Sequence, residues 1–172
     1  MSGAAMRAAM PIAVFSGEEL SASGELEQVE PGSPLRERDA IRIKSGVLFL
    51  SQHSSLHAQY PVAMLDRRID PSLPLGQFHY YTDRDGMPVA FCNWVWLTRR
   101  VLEEVMVSGR DLEPHEFNCG ALPFFYEFIA PFGHCRAVVR GLRELSCFKG
   151  RRIPAIRGET DYAVPRVKYF QF

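Results

Sequence analysis

The run Phe124-Phe125-Tyr126-Glu127-Phe128-Ile129-Ala130 sets one carboxylate among apolar and aromatic neighbours. An acid in such a run is costly to bury unless a partner satisfies it. A buried acid that does have a partner is often one with a chemical task. The expected partner is His57, in Ser54-Ser55-Leu56-His57. A histidine can take a proton from an attacking amine while a carboxylate orients its ring and steadies the cation that forms. The expected catalytic pair is therefore His57 and Glu127. Each also has a plainer reading, His57 as a half-buried histidine and Glu127 as an acid paired with an arginine for structure. His53 and His57, four residues apart, have the spacing of metal ligands on one helix face. No third ligand stands near them in the sequence, and no metal is expected.

The second chemical feature follows at once. Pro131-Phe132-Gly133 forms a turn that opens onto a segment from about His134 to Leu145. Val138, Leu142 and Leu145 fall on one face of a 3.6-residue helix, and Arg136, Arg140 and Arg143 on the other. Such a helix packs on a sheet and shows a basic stripe outward. The stripe suits an acidic protein or a phosphate; its plain reading is a solvated face.

These residues need a scaffold. Val47 to Leu50 and Val62 to Ile69, the latter opened by Pro61, read as helices. Gln77 to Thr82 and Pro88 to Trp96 are rich in aromatic and β-branched residues and flank Asp83-Arg84-Asp85-Gly86, which predicts a β-hairpin. Thr98 caps a helix running to Met106. A strand at 124–130, the basic helix, and two strands at Arg152 to Arg157 and Tyr162 to Phe170 complete the order. This predicts an α+β fold: a single domain with a central mixed, mostly antiparallel β-sheet flanked by helices, laid out like the GNAT acyltransferases. Residues 1–44 are rich in Ala, Gly, Ser and Glu and contain the breaker Pro31-Gly32-Ser33-Pro34, so a flexible extension is expected before a domain at 45–172.

The chain has 172 residues and a formal net charge of zero. Its charge is uneven: residues 1–133 carry 11 Lys/Arg against 17 Asp/Glu, and residues 134–172 carry 9 against 3. That asymmetry fits a specific acidic partner better than nucleic acid, for which no motif is present. Four cysteines at 92, 119, 135 and 147 form no CxxC pair, which fits reduced thiols. The longest apolar run near the N-terminus, Pro11 to Phe15, is too short for a membrane span or a signal-peptide core. The expected location is the cytoplasm.

Several blocks, taken in order, resemble one known family, the toxin-activating lysine acyltransferases that mature RTX toxins such as haemolysin. They are Ser54-Ser55-Leu56-His57 with Tyr60-Pro61-Val62, then Leu75-Gly76-Gln77, then Pro88-Val89-Ala90-Phe91-Cys92-Asn93-Trp94, Asn118-Cys119-Gly120 and Ile129-Ala130-Pro131-Phe132-Gly133. The likeness spans about Val47 to Gly133, with an echo at Arg166 to Phe170. It implies a GNAT-like fold and transfer of a fatty acyl group from acyl carrier protein to an internal lysine of an RTX-type protoxin. It also implies a His–Asp pair, here His57 and Glu127, with a serine three residues before the histidine, here Ser54. This chain departs from the family pattern at Glu127, at Ala58 after the histidine, at Arg68 where the family has Asn, and at Ala121-Leu122.

Acyl transfer from a thioester to lysine needs a base for the amine and donors for the oxyanion. His57 supplies the base, supported by Glu127. Ser54, Gly133, Arg136 and Arg140 are the candidates for binding the acyl carrier and its phosphopantetheine arm, with backbone N–H groups near Gly133 facing phosphate or thioester oxygen. No bound cofactor is expected, since acyl–acyl carrier protein is itself the donor substrate. The partners are acyl carrier protein and the acceptor protein, and a homodimer is allowed. The alternative reading is a catalytically weakened relative that binds acyl carrier protein or another protein partner. Cys92 lies mid-strand and reads as core rather than nucleophile.

Overall fold

The computed structural model describes residues 35–157 and 166–172, together with the backbone of the short strands β1 (Ala13–Phe15) and β2 (Glu27–Gln28). Everything is arranged around the hairpin of β3 (Phe78–Thr82) and β4 (Pro88–Leu97). Its turn is closed by Asp83, whose carboxylate accepts from the backbone N–H of Asp85 at 3.0 Å and of Met87 at 2.8 Å. Gly86 takes the positive φ of 78° that the turn requires.

β4 is buried on both faces, which explains its unbroken apolar sequence. Phe91, Val95 and Leu97 point to one side; Cys92, Trp94 and Trp96 point to the other. β5 (Leu122–Ile129) pairs antiparallel with β4. β6 (Arg152–Arg157) runs parallel to β5, and β7 (Arg166–Gln171) antiparallel to β6. With β1 and β2 beyond β3, the sheet order is β2-β1-β3-β4-β5-β6-β7. The sheet is mixed and mostly antiparallel, and the α+β, GNAT-like layout expected from the sequence is the one observed.

Three helices cover one face, α1 (Glu37–Gln52), α2 (Val62–Ile69) and α3 (Arg99–Ser108), and α4 (Cys135–Glu144) covers the other. Adjacent tyrosines on β3 set how closely the two layers dock. An added Cβ at Gly46 of α1 would sit 2.0 Å from Tyr80 Oη, and one at Gly141 of α4 would sit 2.8 Å from Tyr81 Oη. Side chains alternate across a strand, so each tyrosine meets its own helix, and each helix carries a glycine where the hydroxyl arrives. Thr98 caps α3 by accepting from Val101 N–H at 3.3 Å, as expected, and Gly109 ends it in a left-handed conformation.

α1 starts at Glu37, so the expected boundary at 44/45 falls inside a helix. Ile43, one turn before the apolar run Val47–Leu50, continues the same face and is 1% exposed. Glu37 and Asp39 complement the N-terminal dipole, and Lys44 bridges to Asp66 and Asp70. Most of the expected flexible extension lies outside the described residues, as do residues 162–165 of the last expected strand.

Candidate active site

His57 opens a short 3-10 turn, His57–Gln59, between α1 and α2. The chain winds tightly here: Ala58 N–H donates to Ser54 O at 2.9 Å and Tyr60 N–H to His57 O at 3.0 Å. Residues three apart in such a winding share a side. Ser54 Oγ consequently lies 2.7 Å from His57 Nδ1.

Glu127 reaches the same place through an irregularity in β5. Asn93 pairs with Glu127, but Trp94 pairs with Phe125, so Tyr126 is an extra residue in the ladder. Strict alternation would send Tyr126 and Glu127 to opposite faces. The bulge turns both toward α2 and α3, while Phe125 and Phe128 pack on the α4 side. Asn93 accepts the Glu127 N–H at its Oδ1, at 2.8 Å, and its Nδ2 donates to Arg68 O at 2.9 Å and Ser72 Oγ at 3.1 Å. One buried amide thus ties the bulge to the end of α2.

Glu127 Oε2 is 3.0 Å from His57 Nε2, with the two side chains 4% and 6% exposed. Its other oxygen, Oε1, accepts from Arg68 Nη1 at 2.5 Å. Arg68 also donates through Nε and Nη2 to Asp111 Oδ1, at 2.7 and 2.5 Å. Burial is the largest single influence and works against the guanidinium charge, but Glu127, Tyr126 and Asp111 together outweigh it and the Arg68 pKa is raised. The Arg68 guanidinium lies over the rings of Tyr60 and Tyr126, at 5.4 and 5.2 Å. Burial pushes the Tyr126 hydroxyl up to about 12. It stays protonated, accepting from Leu112 N–H at 3.0 Å and facing Asp111 Oδ1 at 3.5 Å.

An ionised carboxylate only accepts. With Glu127 paired to Arg68, the His57 Nε2 is the N–H donor toward it, which leaves the Nδ1 lone pair as acceptor for the Ser54 hydroxyl. The ring has one position open to a new proton, Nδ1, and the serine stands at it.

The site opens into a cleft of about 1130 Å³, somewhat larger than the ~300–1,000 Å³ of most small-molecule sites. His57, Tyr60, Arg68 and Glu127 line one part of it; Arg136, Arg140, Arg143 and Lys168 line another. Phe124, Phe125, Phe128, Val139 and Ile156 supply apolar wall. β5 and β6 share only the registered pair Phe125–Ala155, and the cleft lies along their junction. Of the four residues expected to bind the carrier arm, Arg136 and Arg140 line the cleft. Ser54 and Gly133 are not among its described lining residues: Ser54 is bonded to His57, and Gly133 forms the turn before α4 with φ 87°.

Cys92 is wholly buried in β4, and burial pushes its thiol pKa up, away from the thiolate. Among the described residues, no three His, Cys, Asp or Glu side chains gather as a metal site would require. No helix among them is long and apolar enough to cross a membrane.

Sequence reading missed Asn93, Asp111 and the bulge, and noted Arg68 only as a departure. Arg68 carried a usable signal. It lies three residues after Leu65 and one before Ile69, both buried, so it sits at the inner edge of α2. Asp111 carried none, being one acid in a polar loop.

The RTX toxin acyltransferase family profile matches residues 37–171. The lysine-acyltransferase RtxC of Vibrio cholerae is 41% identical over 118 residues, covering 67% of this chain and 77% of that protein. The RTX-I toxin-activating lysine-acyltransferase ApxIC of Actinobacillus pleuropneumoniae is 28% identical, covering 77% and 75%. The protein-lysine myristoyltransferase RtxC of Kingella kingae is 27% identical, covering 73% and 72%.

Proposed function

This chain belongs to the RTX toxin acyltransferase family and is an acyltransferase, and from that premise we propose that it moves a fatty acyl group from acyl carrier protein to an internal lysine of an RTX-type protoxin. The observation that supports this most is the buried His57–Glu127 pair, with the half-buried Ser54 on its other side, at the edge of an apolar, basic-rimmed cleft.

In this reading the thioester lies at the junction of β5 and β6, and the carrier rests against the exposed arginines of α4. Arg136, Arg140, Arg143 and Lys168 complement an acidic carrier and the phosphate of its arm. The N-terminus of α4 adds backbone N–H groups to that end of the cleft. The acceptor lysine arrives as an ammonium and first releases one proton to solvent, so that it attacks as the neutral amine. The Ser54 hydroxyl hands its proton to His57 Nδ1 and takes one from the amine. The amine nitrogen bonds to the thioester carbonyl carbon, the C–S bond breaks, and the carrier leaves as its thiol after taking the proton held on the imidazole. Glu127 steadies the imidazolium between those two transfers. Nothing in this sequence requires a cysteine nucleophile. In this reading the protein acts in the cytoplasm.

The test is direct. The purified protein is incubated with acyl carrier protein loaded with acyl groups of different lengths and with an RTX-type protoxin, and the acceptor is mapped by mass spectrometry. A mass increase of one acyl group on a lysine is expected. An acceptor of unchanged mass with every donor would remove the assignment and favour a protein that only binds the carrier.

A further inference from the structure

We propose that Arg68, anchored from behind by Asp111, is a positioning residue that fixes the Glu127 carboxylate for His57. This rests on the reading of His57 and Glu127 as the reacting pair.

A glutamate side chain has three rotatable bonds, and its carboxylate can swing unless both oxygens are held. Here each oxygen has its own partner: Oε2 meets His57 Nε2 and Oε1 meets Arg68 Nη1. The carboxylate plane is thus fixed by two contacts from different elements, the turn at His57 and helix α2. A planar guanidinium is suited to this because its donors form a rigid fork. One edge of the Arg68 fork faces Asp111, through Nε and Nη2, and Nη1 faces Glu127. Tyr60 and Tyr126 lie over the guanidinium, so its plane is restrained as well.

The anchor is itself held. Arg110, beside Asp111, donates to both oxygens of Glu116 at 2.8 Å, to Glu104 Oε2 at 3.0 Å and to the Asp111 backbone carbonyl at 2.9 Å. Glu116 in turn accepts from Glu113 N–H at 3.0 Å, and Leu112 N–H is bound by Tyr126 Oη. The loop after α3 therefore presents Asp111 at a set position. Charge-assisted bonds form a line from the Asp111 carboxylate through Arg68 to Glu127 and His57, and Arg110 ties the Asp111 backbone to Glu104 of α3. The ends of the line belong to segments far apart in sequence, so with that tie it also joins α2 and α3 at the reacting groups. Asn93 adds to this by holding the Arg68 carbonyl and the Glu127 N–H on one amide.

The experiment compares Arg68→Gln, Arg68→Lys and Asp111→Asn in the full chain. The first readout is the ring N–H resonance of His57 by proton–nitrogen NMR without substrate, assigned by its loss in His57→Gln. The second is kcat and KM with acyl carrier protein as donor. Arg68→Gln should shift the His57 ring resonance and lower kcat by about 10- to 100-fold with KM for the carrier unchanged, as expected when a reacting group is slightly misplaced. Arg68→Lys should recover part of both, having a donor for Glu127 but no fork for Asp111. Asp111→Asn, at a carboxylate that is 35% exposed, keeps the fold safe should Arg68→Gln fail to fold. It should shift the resonance in the same direction by less.

An unmoved resonance in Asp111→Asn and in either Arg68 variant would overturn the proposal. So would a raised KM at constant kcat, which would make Arg68 a donor-binding group. The NMR arm needs no substrate, so a wild-type protein that transfers nothing would count against acyl transfer alone.

Discussion

His57 and Glu127 are seventy residues apart in the chain and 3.0 Å apart in the fold. Two features bring them together. The turn after α1 winds His57 inward, and the bulge at Tyr126 sends Glu127 to the face it would otherwise leave. The pair is buried, so its geometry is protected from water competition, and the same burial makes each member dependent on the other.

Ser54→Ala removes the hydroxyl at Nδ1 and should lower kcat by about 10- to 100-fold while the protein melts within a degree or two of wild type. This lies at the low end for proton transfer by a positioned group, because a water can replace a hydroxyl that small. Single-turnover transfer with a loaded carrier measures it. Undiminished transfer would show that the amine proton reaches Nδ1 without the serine.

Arg140→Glu reverses one charge of the α4 stripe. KM for acyl carrier protein should rise about tenfold at low salt, with kcat little changed, and the difference should shrink as salt screens the contact. Titration at two ionic strengths decides it. An unchanged KM and an unchanged salt slope would leave the stripe as ordinary solvated surface.

Direct transfer makes a prediction about the enzyme alone. Mixed with loaded carrier and no acceptor, it should keep its own intact mass. A stable gain of one acyl group would indicate a covalent acyl-enzyme and a nucleophile outside the Ser54–His57–Glu127 scheme, or Ser54 itself acting as one.

His79 predicts a pH dependence of stability. It is wholly buried on β3, its Nδ1 sits 3.0 Å from Tyr81 Oη, and burial lowers its pKa to about 3. The unfolded chain binds this proton below about pH 6.5, whereas the folded chain does not until about pH 3. Stability should therefore be full above 6.5 and fall as pH drops toward 3, by up to roughly 1.4 kcal/mol per pH unit from this one group. Urea melts between pH 7 and 5 isolate it, because Glu116, lowered to about 2 by Arg110, contributes only at more acid pH. His79→Gln should flatten the slope; an equal slope would assign it elsewhere.

The element order was legible because each element carried its own local pattern. The Asp83–Gly86 turn between two aromatic runs fixed the hairpin, and apolar Val138 and Leu142 against three arginines fixed α4. Glu127 was legible as an anomaly, a charge where only apolar residues belong. His57 was legible through the block around it. The support for the pair was not. Whether a strand holds a bulge depends on the partner strand, and nothing in the run around Tyr126 marks it. Asp111 reaches Arg68 across 43 residues, through a loop whose shape is set by Arg110 and Glu116. The start of α1 was missed because Ile43 stands among charged residues that face solvent or α2, and the apolar stripe is sparse there.

The most direct test of the account is the single-turnover rate of acyl transfer from loaded carrier to protoxin by wild-type protein and by His57→Ala, with matched circular dichroism to establish the fold. The account predicts a loss of about 10²- to 10⁴-fold in His57→Ala. A variant that transfers within a few-fold of wild type would contradict it.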